Sequence, residues 1–116
     1  MIKRLQELID LAQKNPPARV AVAAAAHNLV LESLQRAVGL GLIIPILVGK
    51  EEDIRKEAEG IGWDLQGVHI VATQTNKAAA TAAVDLVRQG QASVLMKGYL
   101  HTDEMLRAVL AHDTGL

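Results

Sequence analysis

Four short apolar runs, separated by stretches of helical periodicity, restrict this chain more than any other feature. The runs are Ala18 to Ala25 (ARVAVAAA), Ile43 to Val48 (IIPILV), Val68 to Val71 (VHIV) and Ser93 to Lys97 (SVLMK). A strand with one wet face alternates apolar and polar residues, whereas a strand covered on both faces reads as nearly continuous apolar sequence. The segments between the runs place Val30, Leu34, Ala37 and Val38, then Ile54, Ala58 and Ile61, then Ala79, Ala83, Leu86 and Val87, at the spacing of one helix face. Each connection is too long for a hairpin and long enough for a right-handed crossover. The pattern predicts a parallel sheet with helices on both faces, its strands including residues 19–24, 45–48, 68–71 and 93–97.

Local punctuation sharpens this reading. Ile2, Leu5, Leu8, Ile9 and Ala12 predict an amphipathic helix to about Lys14, stopped by Asn15-Pro16-Pro17. Glu51-Glu52-Asp53 fall in the first turn of a helix, where carboxylates meet the positive end of its dipole, and Gly60 and Gly62 close it. Thr75 is a cap for a helix from Asn76 to about Gln89, ended by Gly90, and Thr102 caps a last helix that turns Leu106, Val109 and Leu110 inward. Pro45 has no N–H for a ladder, so it belongs near a strand start or on an edge. Trp63, between Gly62 and Asp64, reads as a packing lid at the sheet edge. The expected order is α-β-α-β-α-β-α-β-α, a three-layer α/β/α arrangement occupying residues 1–116 as a single domain.

Composition excludes several function classes. Twelve Lys and Arg against thirteen Asp and Glu are interspersed, with a net charge of −1; nucleic acid needs clustered cations, so it is not an expected partner. No cysteine is present, which removes disulfides, zinc thiolates and Cys nucleophiles and suits a reducing compartment. The longest apolar runs, VAVAAAA and LIIPILVG, are far short of the ~20 residues that span a bilayer. The charged first fifteen residues lack the layout of a signal peptide. The expectation is a cytoplasmic protein without membrane association. Gly39-Leu40-Gly41 and Gly49-Lys50 match neither a dinucleotide fingerprint nor a P-loop. His101 and Asp103 form no metal set, and Ser33 and Ser93 sit in the wrong places for a nucleophile triad. Neither a metal nor a tightly bound cofactor is expected.

Ligands of open parallel sheets bind beyond the carboxyl ends of the strands, where helix N-termini offer unpaired N–H groups. Four loops qualify, beginning near Ala26, Gly49, Ala72 and Lys97. The segment Lys97-Gly98-Tyr99-Leu100-His101-Thr102 gathers a cation, a glycine that admits close backbone approach, an imidazole and a hydroxyl at a helix start, a group suited to an anion. Arg107, about one and a half turns into that helix, leans toward the same place and would grip phosphate bidentately. His27 and Asn28 follow the first strand's carboxyl end. Each has a plain structural counterpart: a solvated strand end at Lys97, a cap at Thr102, dipole partners at Asp103 and Glu104, and a residue preceding a cap at His27. His69 reads as structural, and His112 lies near the terminus.

At VLMKGYLHTDEMLRAVL, residues 94–110, the sequence resembles the phosphate acetyl/butyryltransferase family, which includes the phosphotransacetylase half of enoyl-CoA hydratase fusions. Supporting segments, VAVAAAAHNLVLESLQRAVGLGLIIPILVG at 20–49 and AAATAAVDLVRQGQASVLMKG at 78–98, stand in the same order. The resemblance implies an acyltransferase that moves an acetyl or butyryl group between coenzyme A and inorganic phosphate. It implies a two-domain α/β/α protein whose first domain looks like that of the isocitrate/isopropylmalate dehydrogenase-like fold, with the site between domains. It further implies coenzyme A as a substrate and not a resident cofactor, acyl-CoA and phosphate as small-molecule partners, and a homo-oligomer in full-length form. Lys97, Gly98, His101, Thr102 and Arg107 become substrate-binding candidates, with His27 and Asn28 across the neighbouring strand end. The chain stops at Thr114-Gly115-Leu116, where the family continues into a second part carrying serine, arginine and aspartate near the thiol. It is therefore expected to be most of a first domain, inactive alone, with its catalytic groups elsewhere. The competing class is a non-catalytic α/β domain that binds an anion or a partner.

Overall fold

The computed structural model describes residues 16–98 and 106–109. Strands β1 (Ala18–Ala23), β2 (Ile43–Gly49), β3 (His69–Ala72) and β4 (Val94–Lys97) alternate with helices α1 (Asn28–Gly39), α2 (Glu51–Gly60) and α3 (Asn76–Arg88). Every strand pair is parallel, in the order β3-β2-β1-β4. The expected strands are all present, displaced at their ends by no more than two residues. The expected first helix and the Thr102 cap lie outside the described residues, while residues 106–109 are helical.

The order explains the layers. From β1 through β2 to β3 the chain steps in one direction; after β3 it returns past β2 and β1 to pair β4 with β1. Crossovers keep one hand, so a reversal of direction puts the next helix on the opposite face. Accordingly Val20, Val22 and Leu47 pack with Leu31 and Leu34 of α1 and Ile54 and Ala58 of α2. Ala21, Ala23, Ile46 and Val48, the alternate residues of the same strands, pack with Ala79, Ala80, Ala83 and Val84 of α3. Both residue parities of β1 and β2 are thus buried, which is why these strands read as apolar without alternation. The small residues of β1 meet the small residues of α3, so that helix lies close to the sheet. The edge strands are shorter, with both end residues exposed.

Pro45 is the third residue of β2, buried within a central strand. It pairs with Val20 of β1, but the ladder to β3 begins only at Ile46 opposite His69. On that side no ladder position precedes Ile46, which is how a strand-start proline fits a central strand. Thr75 caps α3, its Oγ1 accepting from the Ala78 N–H at 3.0 Å. The first turn of α2 holds Glu51, Glu52 and Asp53 and has no side-chain cap, so carboxylate charge takes over the work of a cap there. Trp63 is half-buried against the α1/α2 layer, its N–H donating to the Ala58 carbonyl at 2.9 Å. Among the described residues no helix is long and apolar enough to cross a membrane.

Two stability outcomes follow from this packing. Leu47 is fully buried at the centre of the sheet, so Leu47→Ala should cost about 2–5 kcal/mol in urea unfolding, and an unchanged midpoint would remove it from the core. Thr75→Ala should cost about 1 kcal/mol through the lost α3 cap, read in the same measurement.

Candidate functional site

At the carboxyl edge of the sheet, outgoing connections part toward opposite faces in two places. β2 leads to α2 on one face and β3 to α3 on the other. β1 leads to α1, whereas the chain after β4 reaches residues 106–109, whose Ala108 packs in the α3 layer. Such divergence opens a crevice at the strand ends.

The first crevice is a cleft of about 350 Å³. Ala24 and Ala26 of the β1–α1 loop form one wall; Gly49, Lys50 and Asp53 form another; Gln74, Thr75 and Asn76 form the third. Two helix starts therefore face one space. In α2 the first backbone bond runs from the Ile54 N–H to the Lys50 carbonyl, and in α3 from the Ala79 N–H to the Thr75 carbonyl. The N–H groups of the preceding turn have no partner within the helix. The two starts differ in charge. The α2 turn carries three carboxylates, of which Glu51 is paired with Arg55 at 2.9 Å and Asp53 faces the cleft. The α3 turn carries none. The α3 end, with Lys50 opposite, is the part of the cleft that suits a negatively charged group.

The second divergence lies at the ends of β1 and β4, where Lys97 stands opposite Ala23. The Gly98 N–H donates to the Ala23 carbonyl at 2.8 Å. Beyond Ala23 the chain turns sharply: Ala24 has φ 61°, the Ala25 N–H donates to the Val48 carbonyl at 3.0 Å, and the His27 N–H donates to the Ala25 carbonyl at 2.8 Å. The sequence reading put the cap of α1 at Asn28. The structure puts it at His27, which has extended backbone and whose Nδ1 accepts from the Leu29 N–H at 3.2 Å. Asn28 is the first residue of the helix, and its Oδ1 shares the same N–H at 2.9 Å. An imidazole nitrogen does here what a carboxamide oxygen does at an ordinary cap.

Of the residues singled out from sequence, Lys97, Gly98, His27 and Asn28 lie on one sheet edge, at the ends of neighbouring strands and along the loop that follows β1. Arg107 is exposed on the helical segment 106–109, beside the buried Ala108. His101 and Thr102 lie outside the described residues. Gly98 is buried, and the space its side chain would need is filled by the protein itself: a Cβ would stand 2.4 Å from the Ala24 carbonyl oxygen. Among the described residues no three His, Cys, Asp or Glu side chains group as for a metal ion. The sequence reading missed Lys50, Asp53, Gln74, Thr75 and Asn76 as walls of one cleft. The polar run Thr73 to Asn76 after a strand end was the available signal, but only the strand order shows that the loops after β2 and β3 face each other.

The profile of the family described as phosphate acetyl/butaryl transferase matches residues 3–83. A phosphate acetyltransferase of Rhizobium meliloti is 41% identical over 113 residues, covering 97% of this chain and 36% of that protein. A phosphate butyryltransferase of Clostridium acetobutylicum is 39% identical over 116 residues, covering 100% of this chain and 38% of that protein. The chain thus spans little more than a third of the length of these relatives. In fold, it superposes on a phosphotransacetylase from Streptococcus pyogenes with a TM-score of 0.77 at 19% identity, over 95% of this chain and 42% of the other. With the profile matching well over half of its length, the chain belongs to the phosphate acetyl/butaryl transferase family.

Proposed function

We propose that this chain is the first domain of a two-domain acyltransferase that moves an acetyl or butyryl group between coenzyme A and inorganic phosphate, and that it supplies the phosphate-holding edge of the site. The observation that carries the reading is the adjacency of the turn after β1 and the end of β4, joined through the Gly98 N–H to the Ala23 carbonyl. That adjacency sets Lys97 beside the loop bearing His27 and Asn28. Membership in the family supports the reaction class, and the relatives' greater length supports a second part.

The reaction asks little covalent chemistry of the protein. A thiolate of coenzyme A attacks the carbonyl carbon of the acyl phosphate, the carbon–oxygen bond to phosphate breaks, and inorganic phosphate leaves with the electron pair. The steps reverse when acyl-CoA is the donor. What is required is a cradle for the phosphoryl oxygens, polarisation of the carbonyl, and a group that takes the thiol proton. The first requirement is assigned to Lys97, His101, Thr102 and Arg107, with His27 and Asn28 across the edge; Gly98, whose N–H is spent on the Ala23 carbonyl, holds that edge together. The base and the thiol's placement are assigned to the remainder of the polypeptide. No enzyme cysteine is needed, because the acyl group passes directly between phosphate and sulfur. Coenzyme A enters as a substrate in the cytoplasm, and the full-length protein works as a homo-oligomer.

On this reading the 116 residues alone do not turn over acyl phosphate. Attack needs the thiol held about 3–3.5 Å from the carbonyl carbon, and an edge open to water does not hold it. Purified chain mixed with acetyl or butyryl phosphate and coenzyme A should form no thioester above background, while the longer polypeptide carrying it should. Turnover by the chain alone at a relative's rate would refute the division of labour, and no turnover by either would favour a non-catalytic anion-binding domain. In the longer polypeptide, Arg107→Ala should lower kcat/KM by ten- to a hundredfold, from the ~1.5–3 kcal/mol typical of hydrogen bonds to charged groups. An unchanged value would remove Arg107 from the phosphate cradle.

A further inference from the structure

The turn leaving β1 carries an unusual backbone. Among the described residues, Ala24 alone has a positive φ without being glycine, at 61°, and it is buried. Left-handed backbone is unfavourable for alanine because Cβ crowds the following carbonyl, so the surroundings must hold it there. The end of β4 does so through close backbone contact. Gly98, at the end of β4, has no room for a side chain: a Cβ would lie 2.4 Å from the Ala24 oxygen and 2.6 Å from the Ala23 oxygen, both backbone atoms. Gly49, at the end of β2, is also a neighbour of the turn but leaves ordinary room there: a Cβ would sit 3.4 Å from Ile54 Cδ1, 3.5 Å from the Ala25 nitrogen and 3.8 Å from the Ala24 Cα. The turn also forms a wall of the cleft, through Ala24 and Ala26, and touches the end of β4 at Gly98.

We propose that Gly98 and Ala24 are paired positioning residues: the bare Cα of Gly98 lets the end of β4 close on the strained Ala24 turn and so locks Lys97, at the strand end, and the His27 loop into one geometry. In this assignment Gly98 meets protein backbone and acts on the ligand only through Ala24. Its kinetic consequence rests on the acyl-transfer reading; the structural coupling does not. A Cβ at 98 must drive the Ala24 carbonyl back by several tenths of an ångström or more, and a displacement approaching 1 Å near reacting groups costs up to about a hundredfold in rate. Glycine at 24 would let the turn take up that displacement, because it accepts both signs of φ.

The test is a cycle of Gly98→Ala, Ala24→Gly and the double variant, measured in the longer polypeptide for kinetics and in the 116-residue chain by amide NMR. Gly98→Ala is expected to lower kcat/KM at least tenfold, chiefly by raising KM for phosphate, and the double variant to recover at least threefold over Gly98→Ala alone. In the 116-residue chain, Ala24→Gly relieves the left-handed strain and should slow hydrogen exchange at the Gly98 N–H and shift the amides of Lys97 and His27. Losses that simply multiply, or a Gly98→Ala enzyme of unchanged KM, would overturn the pairing. If Gly98→Ala does not fold, the Ala24→Gly amides decide, and unaltered exchange at Gly98 sinks the proposal. If the unsubstituted longer polypeptide shows no transfer, the acyl-transfer reading fails, and the pairing stands or falls on the amide shifts and exchange.

Discussion

Everything at the carboxyl edge depends on β1 being hydrogen-bonded on both sides, to β2 and to β4. A strand in that position has neighbours in the sheet and a helix layer over each face, so its residues from Val20 to Ala23 are buried, as are Ala24 and Ala25 just beyond it, and four of those six are alanine. Small side chains there cost some apolar area but allow α3 to approach through Ala79, Ala80 and Ala83. They also leave the backbone exposed to close approach by other backbone, which Gly98 exploits. The geometry of that edge is therefore set by main chain against main chain, with few side-chain degrees of freedom to blur it.

The reversal of chain direction after β3 does the second part of the work. It sends α3 to the face opposite α2 and leaves their N-termini confronting each other across the cleft. Unpaired N–H groups at a helix start draw negative charge, but acids in the same turn spend that potential internally. The α2 start is occupied in this way by its acidic trio and the α3 start is not. The cleft thus sets one helix start free of carboxylates and one lysine, Lys50, against one carboxylate, Asp53.

Much of the fold was legible because burial on both faces leaves a direct mark on sequence. The apolar runs of β1 and β2, the Thr75 cap and the acidic first turn of α2 each reflect a local physical demand, and each could be placed without coordinates. Pro45 shows where local reading stops: proline suits a strand start, yet only the register, with β3 joining at Ile46, explains how it occupies a central strand. His27 makes the same point, since imidazole is an uncommon cap and only its extended backbone and the 3.2 Å contact with the Leu29 N–H identify it as one.

The site was legible as chemistry and not as arrangement. Amino-acid order alone determined that four strands and their crossovers would form an α/β sheet, and that Lys97 and Gly98 would stand at a strand end. Tertiary structure alone decided the strand order β3-β2-β1-β4, the meeting of the α2 and α3 starts over one cleft, and the seating of Gly98 against Ala24. The physical reason is that periodicity and caps arise from contacts within a few residues, whereas strand neighbours are chosen by packing between segments far apart in the chain. Lys97 and Ala23 are 74 positions apart yet stand opposite each other in the sheet, and no local preference encodes that distance.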